Sequence, residues 1–402
     1  MGILNNLRSP AGGVNKLETI GSVYVHAPFC SRRCYYCDFA VKVGSSSDSD
    51  LWIQAINGEL KALYEEGIFA LSSSLQTLYV GGGTPSLLDE NSMAQLASVI
   101  GNGRLEKNDL EWTCEANPES FDLEKASSWI RAGVNRVSLG VQTFQESALR
   151  WMGRLHGAEM PYEAVAIARR AGFSNLSVDI IFGLPPSLKR NLRKDLEAVL
   201  SLGVDHVSLY GLTVENGTPL ARAVSKGQQD VISGAQYREE YLFAVEWLES
   251  EGYGGYEVSN FAKTGKESRH NSNYWSGKPY LGLGNGAHSY LHPVRRWNVR
   301  DWDSYYAKAS ETCLPIENQE KLSREEHKLE SFWLGLRTNT GLKIDDFLPS
   351  IKKRFDSWIA RGLAVEREGN ICLTSRGWLI MDQLTVELME HFSCSESEDE
   401  NL

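Results

Sequence analysis

Six short apolar runs, separated by stretches of helical periodicity, fill about the first two hundred residues of this 402-residue chain. The runs, rich in β-branched and aromatic residues, are 22–26, 75–80, 110–115, 136–141, 176–182 and 204–210. Between them lie amphipathic stretches at 50–66, 89–100, 122–132, 161–171 and 188–202, several opening at Asp and closing near Gly. Strand and helix alternating at this spacing predict βαβ units and a parallel sheet. Six repeats are too few for a closed eight-fold barrel and enough for a partial (β/α)6 one. Parallel sheets carry their chemistry at the carboxyl ends of the strands, so the residues just after each run matter most.

After the first run stand Cys30, Cys34 and Cys37, at C-x3-C-x2-C spacing. Thiolates are soft ligands for iron–sulfur clusters, zinc and copper(I). A cubane [4Fe–4S] cluster takes four of them, so three cysteines would leave one iron open to a small chelating molecule. A zinc site would need a fourth ligand, for which His26 and Asp38 are the nearby candidates. Unliganded thiols are the third reading. The other four of the seven cysteines are scattered singly, which is no disulfide framework and points to a reducing compartment.

The remaining strand ends are polar or glycine-rich. The second leads into Gly81-Gly82-Gly83-Thr84-Pro85, where bare backbone can approach a ligand closely. The third ends at Glu115 and the fourth at Gln142, with Gly153-Arg154 soon behind. The fifth contains Asp179, and the sixth ends at Tyr210-Gly211. Any one of these could be a cap or a satisfied core group. As a series, with a cysteine loop at the first, they suggest one ligand held across the top of a sheet.

The cysteine spacing and the glycine run together resemble the radical S-adenosylmethionine superfamily. The segments VYVHAPFC (23–30), YVGGGTPSLL (79–88), EANPES (115–120), VSLGVQTF (137–144), GRLHGAE (153–159) and VDIIFGLP (178–185) resemble, within it, the branch of anaerobic coproporphyrinogen III dehydrogenase and the heme chaperones. The resemblance runs from about Ser22 to about Leu384. It implies a radical SAM barrel in which Cys30, Cys34 and Cys37 bind a [4Fe–4S] cluster and S-adenosyl-L-methionine chelates the open iron. Tyr24, Gly82, Gly83, Thr84, Glu115, Gln142, Arg154, Asp179 and Gly211 match positions that contact adenosylmethionine in the dehydrogenase. On that mapping glycine backbone meets the methionine ammonium, Arg154 pairs with its carboxylate, and Glu115 or Asp179 accepts ribose hydroxyls.

Two features choose the branch. The dehydrogenase carries a further cysteine two places after the third, where this chain has Phe39, as the chaperones do. Arg269-His270-Asn271-Ser272-Asn273-Tyr274-Trp275 matches the chaperones' H-N-x-x-Y-W signature, which the family associates with heme. Imidazole is a common axial ligand of heme iron, and aromatic side chains can flank a porphyrin face. The resemblance therefore implies that His270, Asn271, Tyr274 and Trp275 contact heme, with the iron ligand either His270 or else His288 or a cysteine. Chaperones of bacterial type often have a cysteine where this chain has Asn285. The expected function is binding heme and passing it to acceptor hemoproteins, a carrier's task more than an enzyme's. The alternative is oxygen-independent decarboxylation of coproporphyrinogen III.

From about residue 320 the pattern changes. Amphipathic stretches at 326–336 and 343–360 precede a β-hairpin turning at Glu368-Gly369-Asn370 and a closing helix at 378–388. This reads as a small winged-helix-like α+β module. Its Lys and Arg do not cluster, so a lid or partner-docking role is expected over DNA binding. The expected division is a flexible N-terminal segment (1–20), the barrel (21–255), a heme-motif connecting region (256–319), the C-terminal domain (320–390) and an acidic disordered tail (391–402).

The formal charge of -11, from 41 Lys and Arg against 52 Asp and Glu, disfavours nucleic acid and anionic membrane as partners. No apolar run approaches the roughly 20 residues that span a bilayer, so any contact with membrane-bound acceptors would be transient. The first residues have no secretory h-region and make a poor transit peptide, although a cleaved targeting segment could be missing. A cytoplasmic-type reducing compartment is expected, with a chloroplast or mitochondrion open if such a segment exists.

Overall fold

The computed structural model describes residues 18–44, 48–106 and 109–389. The expected acidic tail and residues 1–17 of the expected N-terminal segment lie outside them. All six strands form: β1 (Ser22–Ala27), β2 (Thr77–Gly82), β3 (Glu111–Ala116), β4 (Arg136–Gln142), β5 (Leu176–Phe182) and β6 (His206–Gly211). Each pairs in parallel with its neighbour, with Tyr24 beside Tyr79, Leu78 beside Trp112 and Ser208 beside Asp179. They read as continuous apolar runs because both faces are covered; β4 is buried at every residue.

The sheet extends beyond those six. Strands β7 (Gly254–Glu257) and β8 (Asn260–Ala262) add to the β6 edge, β8 antiparallel to β6, and β9 (Leu281–Leu283) adds in parallel to β1. The nine-stranded order is β7-β8-β6-β5-β4-β3-β2-β1-β9, an open partial barrel as expected. A three-residue Leu-Gly-Leu strand carries too little periodicity to be seen in the sequence.

The helices between strands close where glycine takes the left-handed conformation, at Gly67, Gly133, Gly172 and Gly203. The Asp122 side chain caps the helix Leu123–Ala132 by accepting from the Lys125 amide. The helix expected from 188 begins at Leu192, because Pro186–Leu188 forms a 3-10 turn and Lys189 is left-handed. A short helix, Glu146–Met152, follows β4. Residues 18–20, expected to be flexible, form a strand parallel to Phe69–Leu71.

Beyond β9 a three-stranded antiparallel sheet stands beside the barrel mouth: β10 (His288–Leu291), β11 (Val294–Asn298) and β12 (Ile316–Lys321). The C-terminal part packs a core of its own around Leu336, Phe355, Trp358 and Ile371. It comprises the helices Arg324–Arg337 and Pro349–Ala360 and the hairpin Ala364–Arg367 with Asn370–Leu373. Glu368 and Gly369 are both left-handed in its two-residue turn, the form that matches strand twist. The closing helix comes in two pieces, Ser375–Trp378 and 381–389, with a turn at 379–380. Among the described residues no helix is long and apolar enough to cross a membrane.

Candidate functional site

A cavity of about 600 Å3 opens at the carboxyl ends of the six strands. Cys30, Cys34 and Cys37 line it from the loop after β1. Gly82, Gly83 and Thr84 come from the end of β2, Glu115 from β3, Gln142 from β4, Asp179 from β5 and Gly211 from β6, with Arg154 behind β4. The structure thus gathers in one place every residue assigned to adenosylmethionine except Tyr24. Tyr24 points to a neighbouring cavity, where its hydroxyl meets His26 Nδ1 at 2.9 Å.

The three cysteines are half-buried. Among the described residues, no three His, Cys, Asp or Glu side chains converge as ligands of a single ion would. His26, the candidate fourth zinc ligand, has its other ring nitrogen 2.9 Å from the Ala40 carbonyl. With both nitrogens engaged it offers no lone pair to a metal. Burial pushes the Cys37 thiol up to about 11 and raises Cys30 as well. Burial thus favours the protonated thiols, and a bound cationic centre would favour their thiolates.

Close approach is built in at the glycines. Gly82 has φ +109°, and a Cβ there would fall 2.2 Å from the His26 ring. A Cβ on Gly83 would sit 2.7 Å from the Ala27 and Pro28 carbonyls, so the glycine run seats the cysteine loop as well as facing the cavity.

Two carboxylates stand at the floor. Glu115 accepts from the Tyr79 hydroxyl at 2.7 Å and the Gly82 amide at 3.0 Å. Burial and the nearby Asp179 carboxylate push it up to about 7, against those hydrogen bonds. Asp179 accepts from Ser138 at 3.2 Å and is also raised by burial. Arg136, one of the largest fully buried side chains, supplies the barrel interior with a cation.

Arg154 donates through Nη2 to Asn117 Oδ1 at 2.6 Å and to the Gly140 carbonyl at 2.7 Å, and Nη1 lies 3.8 Å from Cys34 Sγ. Its Nε is buried and finds no acceptor among the described residues. Gln142 is a left-handed non-glycine residue, φ 69°, where the β4–β5 register shifts. A bulge that forces this conformation re-aims the side chain into the cavity. Asn117 was not singled out in the sequence, although it stands two residues past Glu115; it also donates to Thr84 at 3.2 Å.

A second cavity, about 820 Å3, adjoins the first. Gly82, Glu115, Asp38 and Phe39 line both. Tyr274 and Trp275 line the second, with Tyr280 and Tyr290. His270 lies in neither. It is buried under the barrel, with Nδ1 2.7 Å from Thr77 Oγ1, Nε2 2.9 Å from the Tyr274 hydroxyl, and its ring stacked on Tyr79. In either tautomer both nitrogens are occupied, so His270 as placed anchors a helix and offers no ligand to iron. Asn271 likewise lines neither cavity. The Glu111 carboxylate holds this helix, accepting from the amides of Arg269 and His270 at 2.9 Å each. Asn285 donates to the Ala40 and Arg300 carbonyls, bracing the cysteine loop.

Residues 24–199 match the model of the radical SAM superfamily. The heme chaperone HemW of Bacillus subtilis is 34% identical over 376 residues, 90% of this chain and 97% of the relative. A mitochondrial radical S-adenosyl methionine domain-containing protein 1 from Danio rerio is 37% identical over 274 residues, 68% of this chain and 61% of the relative. The coproporphyrinogen III oxidase HemN from Escherichia coli, a radical SAM enzyme, superposes with TM-score 0.75 at 21% identity, covering 92% of this chain and 90% of that one. At that identity the superposition establishes the shared fold. With near-complete coverage of the Bacillus relative, this chain belongs to the HemW family of the radical SAM superfamily.

Proposed function

We propose that this protein is a heme chaperone, binding heme and handing it to acceptor hemoproteins, with a [4Fe–4S] cluster and exchangeable adenosylmethionine beside the cargo. The observation that carries the reading is the pair of adjoining cavities, one ringed by thiols and strand ends, the other by aromatic side chains.

The first cavity fits its group. Three thiols surround a space with no room conceded to side chains at Gly82 and Gly83, and the buried Arg154 Nε lacks an acceptor among the described residues. Cys30, Cys34 and Cys37 would hold the cluster. Arg154 Nε would donate to the adenosylmethionine carboxylate, while Glu115 and Asp179 would accept hydroxyls. When bound, the pair supplies one-electron chemistry. The chain's own part is to hold the thiols at the cavity wall, fix Arg154 through Asn117 and Gly140, and let Glu115 carry a proton near neutrality.

Tyr24, Tyr274 and Trp275 would wall the heme, with His270 and Asn271 positioning that helix from beneath. The connecting region 256–319 would supply most of the cargo wall and the C-terminal domain 320–390 the lid. Acceptors at a membrane would be met transiently, in a reducing compartment.

The test is an anaerobically reconstituted protein titrated with hemin and then mixed with an apo-hemoprotein. Stoichiometric uptake followed by transfer supports the reading. Conversion of coproporphyrinogen III to protoporphyrinogen, given reductant and adenosylmethionine, would overturn it.

A further inference from the structure

We propose that His288 is the axial ligand through which this chain holds heme iron, and that Arg300 and Lys278 receive the propionates. The assignment rests on heme being the cargo of the second cavity.

Histidines are the natural place to look, and most of those described are already committed. His26, His156, His206 and His270 each have both ring nitrogens hydrogen-bonded within the fold. His292 shares its Nδ1 with the Tyr290 hydroxyl at 3.2 Å. Of the two histidines lining the aromatic cavity, His26 and His288, His288 is the one whose ring makes no hydrogen bond to the described residues. It starts β10, opposite Trp297 of β11, and its ring stacks on that indole at 5.6 Å with 22° between planes. A stacked, exposed imidazole on a paired strand is held in direction while its nitrogens stay free.

The surroundings suit a flat dianionic ring. The volume of about 820 Å3 falls within the range of small-molecule sites, roughly 300–1,000 Å3. Tyr280 and Tyr290 give apolar surface, while Trp297 backs the His288 ring. Arg295 is already paired with Glu320 and Glu330. Arg300 and Lys278 line the same cavity and form no ion pair among the described residues; Arg300 Nη2 donates to the Asp38 carbonyl, which holds its guanidinium at the cavity wall, so two cations face two carboxylates.

Hemin titrations of the full chain, followed as Soret difference spectra and by electron paramagnetic resonance, test the assignment. His288→Ala is expected to weaken uptake at least tenfold and to lose the histidine-ligated spectrum, with added imidazole restoring the spectrum. His270→Gln is expected to weaken uptake through the helix it positions and still to show the histidine-ligated spectrum in the heme it binds. Wild-type affinity and spectrum in His288→Ala overturn the assignment and leave the chaperone reading intact. So does a His270→Gln variant that alone loses the ligated spectrum. A wild type that takes up no hemin overturns the chaperone reading and this assignment with it.

Discussion

His270 and Glu115 carry opposite electrostatic loads in the same barrel. Burial, with Arg136 adding to it, lowers His270 from 6.5 to about 3, so the native state keeps it neutral. The unfolded chain takes up a proton there as pH falls through 6.5, and stability is lost progressively from that pH down to about 3. At pH 5 the loss from this residue is about 2 kcal/mol. Glu115 runs the other way. Its raised value means the native state binds a proton that the unfolded chain has released, so its contribution is fully present below 4.5 and lost as pH rises to about 7. His270→Ala should therefore cost about 2–4 kcal/mol at pH 7.5, because a cavity opens and the Thr77 and Tyr274 hydroxyls lose a partner. Its urea midpoint should also change less than the wild type's between pH 7.5 and 5. Denaturation curves of both proteins at the two pH values check this. Glu115→Gln should reverse the comparison, losing less stability than the wild type between pH 5 and 8. Neither load is visible in a sequence. The H-N-x-x-Y-W motif marks His270 as notable without telling a ligand from an anchor, since Thr77, its partner, is 193 positions away.

At the scale of elements, the six strands were legible because fully covered parallel strands must be continuous β-branched and aromatic runs. The cysteine loop and glycine run were legible because their spacing carries chemistry in adjacent letters. What stayed hidden depends on distant partners or on too few residues. Asn117 earns its place only through Arg154 and Thr84, and β9 only through β1. Gln142 reaches the cavity through a bulge that no local pattern announces. The junction of β2 with the cysteine loop is a tight element contact, where the Gly83 amide donates to the Ala27 carbonyl at 2.8 Å and a Cβ on Gly83 would meet that backbone at 2.7 Å. Gly83→Ala would drive a methyl into that backbone and displace the loop, at about 1–3 kcal/mol. The expected outcome is a folded protein that retains less iron per chain after anaerobic reconstitution. Wild-type iron content in that variant would show that the cysteine loop does not depend on the glycine seat.

Across the whole molecule, the C-terminal part meets the barrel through a buried ion pair, Arg337 Nε to Glu257 Oε2 at 2.7 Å, with the Glu257 side chain 0% exposed. The same guanidinium lies 4.1 Å from the Trp275 ring centre and 5.6 Å from that of Trp333, two walls of the aromatic cavity. One side chain thus couples the seating of the C-terminal helix Arg324–Arg337 to the shape of the cargo site. Removing one member of a buried pair strands the other charge, at about 3–5 kcal/mol. Arg337→Ala should lower the urea midpoint accordingly and speed proteolysis near residues 338–341. Because Trp275 and Trp333 lose their shared cation, hemin affinity should fall several-fold while iron retained by the cysteine loop stays unchanged. Arg337→Lys keeps the charge and loses the planar stacking, so it should recover most of the stability and little of the hemin affinity. Equal recovery of both would mean that Arg337 acts on the cavity through its charge, with no separate contribution from stacking.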